Sequence, residues 1–251
     1  MLALTLALSV LVGFTVGLLG GGGSILMVPL LIYVAGVDTK PAMATSLVVV
    51  AVTSIGALLA HARGGRVHWR TGVIFGLTAM IGAYAGGRLA HYVPDRWLLV
   101  AFAVTMLGAA VAMIRGRRDS GAVQQPRPSL PFHLVLLQGI GVGLLTGMVG
   151  AGGGFLVVPA LVLLAGLPMA TAVGTSLLVI AMNSIAGFTG YAANVQIDWG
   201  LAGKVTALAL LGSVVGGTLS GRVRPERLRT AFGVLILCMG VFVLAQAGPS
   251  F

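Results

Sequence analysis

The chain is written twice. Residues 17–89 align without a gap onto residues 147–219, and 25 of the 73 pairs are identical. The identical pairs include Gly20/Gly150, Gly22/Gly152, Gly23/Gly153, Pro29/Pro159, Thr45/Thr175, Ser46/Ser176, Ser54/Ser184 and Trp69/Trp199. An internal repeat in a strongly apolar chain is the usual mark of a secondary transporter, whose sites form where the repeats meet.

Composition sets the solvent. The 251 residues are 58% hydrophobic and 8% charged, with a mean hydropathy of +1.07. Soluble domains carry about 25% charged residues, so the expectation is an all-α, multi-pass membrane protein forming one transmembrane domain over residues 1–251. The 39 glycines suit membrane helices in close backbone contact. The net charge of +10 lies mostly in short loops between apolar runs. It reads as a topology signal and not as a nucleic-acid surface. Cys238 is the single cysteine, so no internal disulfide forms, and it reads as a small core residue. The first twenty residues lack a basic leader and read as a retained helix.

Five apolar stretches precede a middle loop, at about 2–19, 24–36, 41–61, 71–91 and 97–114, and five follow it, at about 134–149, 154–167, 170–190, 200–220 and 228–247. Repeat A is therefore taken as residues 2–114, repeat B as 134–247, and 115–133 as a basic cytoplasmic linker. The second stretch of each repeat is short against the roughly 20 residues of a full crossing. If it crosses, eleven basic residues gather on one side and four on the other. If it does not, they divide seven against seven before Lys204 is counted. The positive-inside rule favours five crossings per repeat. An odd number makes the repeats inverted about an axis in the membrane plane, as in many secondary transporters.

The most unusual text is Gly20-Gly21-Gly22-Gly23-Ser24 and Gly150-Ala151-Gly152-Gly153-Gly154. Each joins the first and second stretches of its repeat and is followed by Pro29 or Pro159. Proline suits the first turn of a helix. The short helices are thus expected to be broken at the glycine turns and to begin near the prolines. Uncovered backbone N–H groups beside a helix N-terminus suit an anion. Close packing of the turns is the alternative. Thr45-Ser46 and Thr175-Ser176 follow, with hydroxyls able to donate to an anion or to bond their own helix. Asn183 offers an amide to a substrate or to a neighbouring helix. The candidate binding set is Gly20, Gly21, Gly22, Gly23, Ser24, Thr45, Ser46, Gly150, Gly152, Gly153, Gly154, Thr175, Ser176 and Asn183.

No carboxylate lies at a span centre, where proton or sodium relays show themselves. Arg88 and Lys204 come nearest to the membrane interior and read as snorkelling side chains or as attractors of an anion. The chain has no HExxH, no GxSxG and no paired intramembrane carboxylates, so no enzyme, metal or cofactor is expected.

The duplicated segments GLLGGGGSILMVPLL with AMATSLVVV, and GMVGAGGGFLVVPAL with AVGTSLLVI, resemble the TauE/SafE family, named for sulfite export. The resemblance covers nearly the whole chain. It implies an exporter of small sulfur-containing anions, sulfite or organosulfonate, in the cytoplasmic (inner) membrane. The partners are then a small anionic substrate and membrane lipid, with no nucleic acid. An importer of another small anion, or a scaffold subunit that transports nothing, remains the alternative. Ala151 and Gly154 depart from Gly21 and Ser24 of the first copy, so the two half-sites are not equivalent.

Overall fold

The structure, a computed structural model, describes residues 2–20, 24–115, 132–150, 152–163, 166–223 and 225–247. Among these there are ten α-helices and no strand. They are α1 (Leu2–Leu19), α2 (Ser24–Pro29), α3 (Thr39–Arg63), α4 (Trp69–Leu89), α5 (Asp95–Arg115), α6 (Phe132–Val149), α7 (Gly154–Leu163), α8 (Met169–Ala192), α9 (Trp199–Ser220) and α10 (Pro225–Ala247). A π-helical turn, Leu30–Val34, continues α2, and a 3₁₀ turn, Ala90–Tyr92, follows α4. Among the described residues five helices are long and apolar enough to cross a membrane: α1, α3, α4 with its 3₁₀ turn, α8 and α9.

One local expectation is corrected. The short helices begin at Ser24 and Gly154, and Pro29 and Pro159 lie inside them. The first four N–H groups of a helix have no intrahelical partner. A proline at the sixth position therefore forgoes a single bond. Beyond Pro29 the helix widens: the Ala35 N–H donates to the Leu30 carbonyl at 3.0 Å and the Val37 N–H to that of Leu31 at 2.9 Å. Such a π turn is one of the ways a helix accommodates a disturbed bond ladder.

Glycine stripes decide which helices touch. On α1, a Cβ at Gly13 would lie 1.9 Å from the Ala209 carbonyl oxygen of α9, and one at Gly17 would lie 2.0 Å from that of Ser213. Gly212 and Gly216 of α9 return the contact to Val10 and Phe14 at 2.1 Å each. The second half repeats the arrangement. Gly82 and Gly86 of α4 abut the carbonyls of Ile140 and Leu144 on α6 at 2.1 and 2.2 Å. No side chain fits at such positions, and the backbones approach as in other small-residue membrane interfaces.

The residue numbers also give direction. They rise together along α1 and α9, and along α4 and α6. Gly56 of α3 faces Leu210 and Gly217 of α9 faces Ala60, while Gly72 and Gly87 of α4 face Leu178 and Gly187 of α8. The helices α1, α3 and α9 thus form one parallel trio, and α6, α8 and α4 form another. Each trio borrows one helix from the other half of the chain.

The trios meet along α3 and α8, whose most apolar windows are 72% buried against 39–44% for α1, α4 and α9. Here the numbers run oppositely. Met43 lies beside Tyr191, Val50 and Ile180 flank Gly152, and His61 approaches Gly174. Equivalent helices of the two copies are antiparallel.

Within a trio, α1 and α3 point the same way. The His61 Nε2 sits 3.1 Å from the Gly17 carbonyl oxygen, at the C-terminal ends of both helices. The segment between them must therefore return along the whole length of the bundle. Its α2 and π turn together supply eleven residues of that return, about 16 Å at 1.5 Å per residue. In the second half Tyr191 takes the place that His61 holds in the first, and its hydroxyl donates to the Met148 carbonyl. The pair α5 and α10 packs together outside this core. Lys40 ties the start of α3 to the start of α5, its ammonium donating to the His91 carbonyl at 3.1 Å and lying 3.5 Å from Asp95.

Candidate functional site

The glycine turns insert between the trios. Gly20 and Gly150 close α1 and α6 with the same left-handed φ of +71°, and Gly152 and Gly153 follow at +63° and +81°. Such values suit glycine and strain any side chain. Gly21, Gly22 and Gly23 fall outside the described residues, as does Ala151. Ser24 and Gly154 are buried and open α2 and α7.

Each turn lies against the central helix of the opposite copy. A Cβ at Gly20 would stand 2.9 Å from the Ser176 hydroxyl and from the Val173 carbonyl oxygen of α8. One at Gly150 would stand 2.3 Å from the Met43 Cβ of α3. Gly152 reaches both helices: its Cβ would meet Ser184 Oγ at 2.5 Å, Val50 at 2.6 Å and Ile180 at 3.3 Å. Val50 and Ile180 are themselves equivalent positions of the two copies, so Gly152 sits near the pseudo-two-fold relation between them. Gly153 instead turns to Thr146, 2.5 Å away by the same measure.

The four duplicated hydroxyls are not alike. Thr175 accepts the His68 backbone N–H at 2.9 Å, and Ser176 donates to the Val173 carbonyl at 2.8 Å. Thr45 is buried. Ser46, also buried, has no hydrogen-bond partner. Asn183 is 1% exposed, and neither its amide nitrogen nor its oxygen is bonded. The interhelical bond that such a residue ordinarily makes is absent among the described residues.

Two further residues belong with this set and were missed from the sequence. Ser54 and Ser184 are fully buried, and neither hydroxyl has a partner. They lie eight residues beyond Ser46 and Ser176, two turns along the same faces of α3 and α8, about 12 Å. The signal was available, because the pair is identical in the repeat alignment. Thr53, aligned with Asn183, bonds its own helix at the Val49 carbonyl at 2.8 Å.

A buried polar group without a partner costs about 1–3 kcal/mol, and native structures hold few of them. Here Ser46, Ser54, Asn183 and Ser184 occupy the two antiparallel helices that the glycine turns touch. All are neutral donors and acceptors. Arg88 and Lys204 are exposed, in keeping with snorkelling. Among the described residues no three His, Cys, Asp or Glu side chains gather as metal ligands would.

Comparison with known proteins decides the family. The profile of the family described as "Sulfite exporter TauE/SafE" matches residues 5–243. The chain belongs to the TauE/SafE family. A probable membrane transporter protein of Xylella fastidiosa (strain 9a5c) is 35% identical over 254 residues, covering 99% of this chain and 97% of that protein. One from Methanocaldococcus jannaschii is 28% identical over 260 residues, covering 96% of each. A relative from Bacillus subtilis, also called a probable membrane transporter protein, is 27% identical over 237 residues, covering 93% of this chain and 96% of its own length. No solved structure matches the chain. As a TauE/SafE member the protein is a multi-pass membrane transporter for a small-molecule substrate, and not an enzyme.

Proposed function

We propose that this TauE/SafE transporter exports small sulfur-containing anions, sulfite or organosulfonate, across the cytoplasmic membrane. The observation that carries the reading is the set of unpartnered, buried, neutral groups on α3 and α8, the helices that the glycine turns touch: Ser46, Ser54, Asn183 and Ser184, the last of them facing Gly152. Backbone N–H groups of the turns and these side chains offer an oxyanion hydrogen bonds without a membrane-buried charge. Thr45, Thr175, Ser176, Ser24, Gly154 and the glycines 20–23, 150, 152 and 153 complete the proposed site. The two copies, residues 2–114 and 134–247, act as inverted repeats of one domain joined by a cytoplasmic linker. The antiparallel run of α3 against α8, and the full-length return between α1 and α3, support this arrangement. Access then alternates as one trio rocks against the other.

The driving force follows from the charge moved. The cytoplasm is electrically negative. One negative charge moving outward releases about 2.3 kcal/mol per 100 mV. That sustains an outward ratio of about fiftyfold without a coupling ion. The test is efflux from liposomes containing only this protein. A potassium potential is set with valinomycin, with no pH or sodium gradient, over a panel of sulfite, sulfonates, sulfate and chloride. Efflux of sulfite or a sulfonate that grows with the potential is the expected result. Flux indifferent to potential and dependent on a proton gradient refutes the mechanism. Absence of flux for every sulfur anion refutes the substrate class.

A further inference from the structure

On the outer side of the α1–α3–α9 trio, a cavity of about 690 Å³ opens between α3 and α9. Its walls are apolar, formed by Ile55, Gly56 and Leu59 on one side and Leu210 and Val214 on the other. One end is different. Arg63, at the last turn of α3, and Arg66, in the following loop, both line it. The Arg66 guanidinium is fixed in place, donating to the Ser220 hydroxyl at 2.7 Å and to the Gly217 carbonyl at 3.4 Å. Among the described residues no carboxylate pairs with either arginine.

We infer that this groove is a binding site for an anionic glycerophospholipid, with an acyl chain between α3 and α9 and the headgroup phosphate on Arg63 and Arg66. Three observations converge on this occupant. The walls are mainly apolar, with the Thr218 hydroxyl donating to the Val215 carbonyl of its own helix, and Ile55, Leu59 and Val214 are 45%, 57% and 42% exposed, as lipid-facing residues are. The volume lies in the range of ligand pockets, about 300–1,000 Å³. The two unpaired guanidiniums stand at a helix end, where a headgroup lies, and arginine matches a phosphate bidentately. The duplication does not require the groove. The positions equivalent to Val52, Val214, Arg63 and Arg66 in the other copy hold Met182, Tyr84, Ala193 and Gln196, bulkier in the wall and uncharged at the end. The lipid therefore binds one trio and not the other.

The experiment is native mass spectrometry of the purified full-length protein in detergent, titrated with phosphatidylglycerol, phosphatidylcholine or inorganic phosphate. Phosphatidylglycerol should be retained in preference to phosphatidylcholine. Arg63→Gln, at an exposed helix end, should weaken phosphatidylglycerol about fivefold and leave phosphatidylcholine unchanged, the effect of one surface cation on an anionic lipid. Val214→Trp, which fills an exposed part of the groove, should remove the preference. Equal retention of the two lipids, or an Arg63→Gln variant that binds like the parent, overturns the proposal. So does inorganic phosphate that binds as tightly as the lipid, which would make the arginines a plain anion site.

Discussion

Asn183 has a fully buried amide with no hydrogen-bond partner among the described residues. Asn183→Leu keeps the branched shape and removes the unsatisfied groups. The folded protein should be as stable as before, or more so, because a buried polar group without a partner is a liability of about 1–3 kcal/mol. Transport should fall about ten- to a hundredfold, the loss of one hydrogen bond to a charged ligand. Melting curves in detergent and liposome flux measure the two effects. A variant that melts early and transports normally would reverse the assignment. Gly152→Val tests the turn in the same way. At a φ of +63° its side chain would be strained and would enter the space of Ser184 and Val50, so flux should cease. Unimpaired flux would leave the turn with a packing role alone. The parts of the proposed site could be picked out in the sequence because they are duplicated. The Thr-Ser pairs and the glycine turns stand out at the same offset in both copies. Ser54 and Ser184 recur at that offset too but were not chosen, since a serine in mid-helix ordinarily bonds its own backbone, and only the structure shows that these two do not.

The helices follow the hydropathy pattern closely, because every long apolar run in this chain has no other way to satisfy its backbone in lipid. The starts of α2 and α7 were not legible. A proline in the sixth position looks like a helix start from sequence, yet it forgoes a single bond and the π turn after Pro29 absorbs the rest. The pairing of helices was not legible either. Glycine stripes on α1, α4, α6 and α9 are similar in spacing, and periodicity does not say which stripe meets which. Their energetic weight can be measured. Gly143 packs so tightly that a Cβ would lie 2.0 Å from the Ala79 carbonyl oxygen. Gly143→Val should cost at least about 3 kcal/mol, the upper range for overpacking. Gly203 on α9 has nothing within 4 Å of a built Cβ. Gly203→Ala should instead stabilise by up to about 1 kcal/mol through helix propensity. Thermal unfolding of the two variants should move in opposite directions.

At the scale of the molecule, antiparallel α3 and α8 send the loops that follow them to opposite ends of the bundle. On a Cys238→Ser background, Arg70→Cys should react with an impermeant maleimide only after the membrane is opened, and Gln196→Cys should react in intact cells. Labelling of both from the same side would refute the inverted arrangement. The exchange of α4 and α9 between trios has a further consequence, for how the chain is made. When the ribosome has released the first half, α4 lies in the bilayer with its glycine face uncovered. Its partners α6 and α8 have yet to be synthesised. The first half cannot mature alone, and neither can the second, which lacks α1 and α3 for α9. Halves divided after Arg118 should each be degraded when expressed singly and should accumulate together when co-expressed. Assembly is therefore a late event, gated by the final crossings, and a chain truncated before α8 leaves the faces of α1, α3 and α4 that α8 and α9 would cover for the cell's membrane proteases to find.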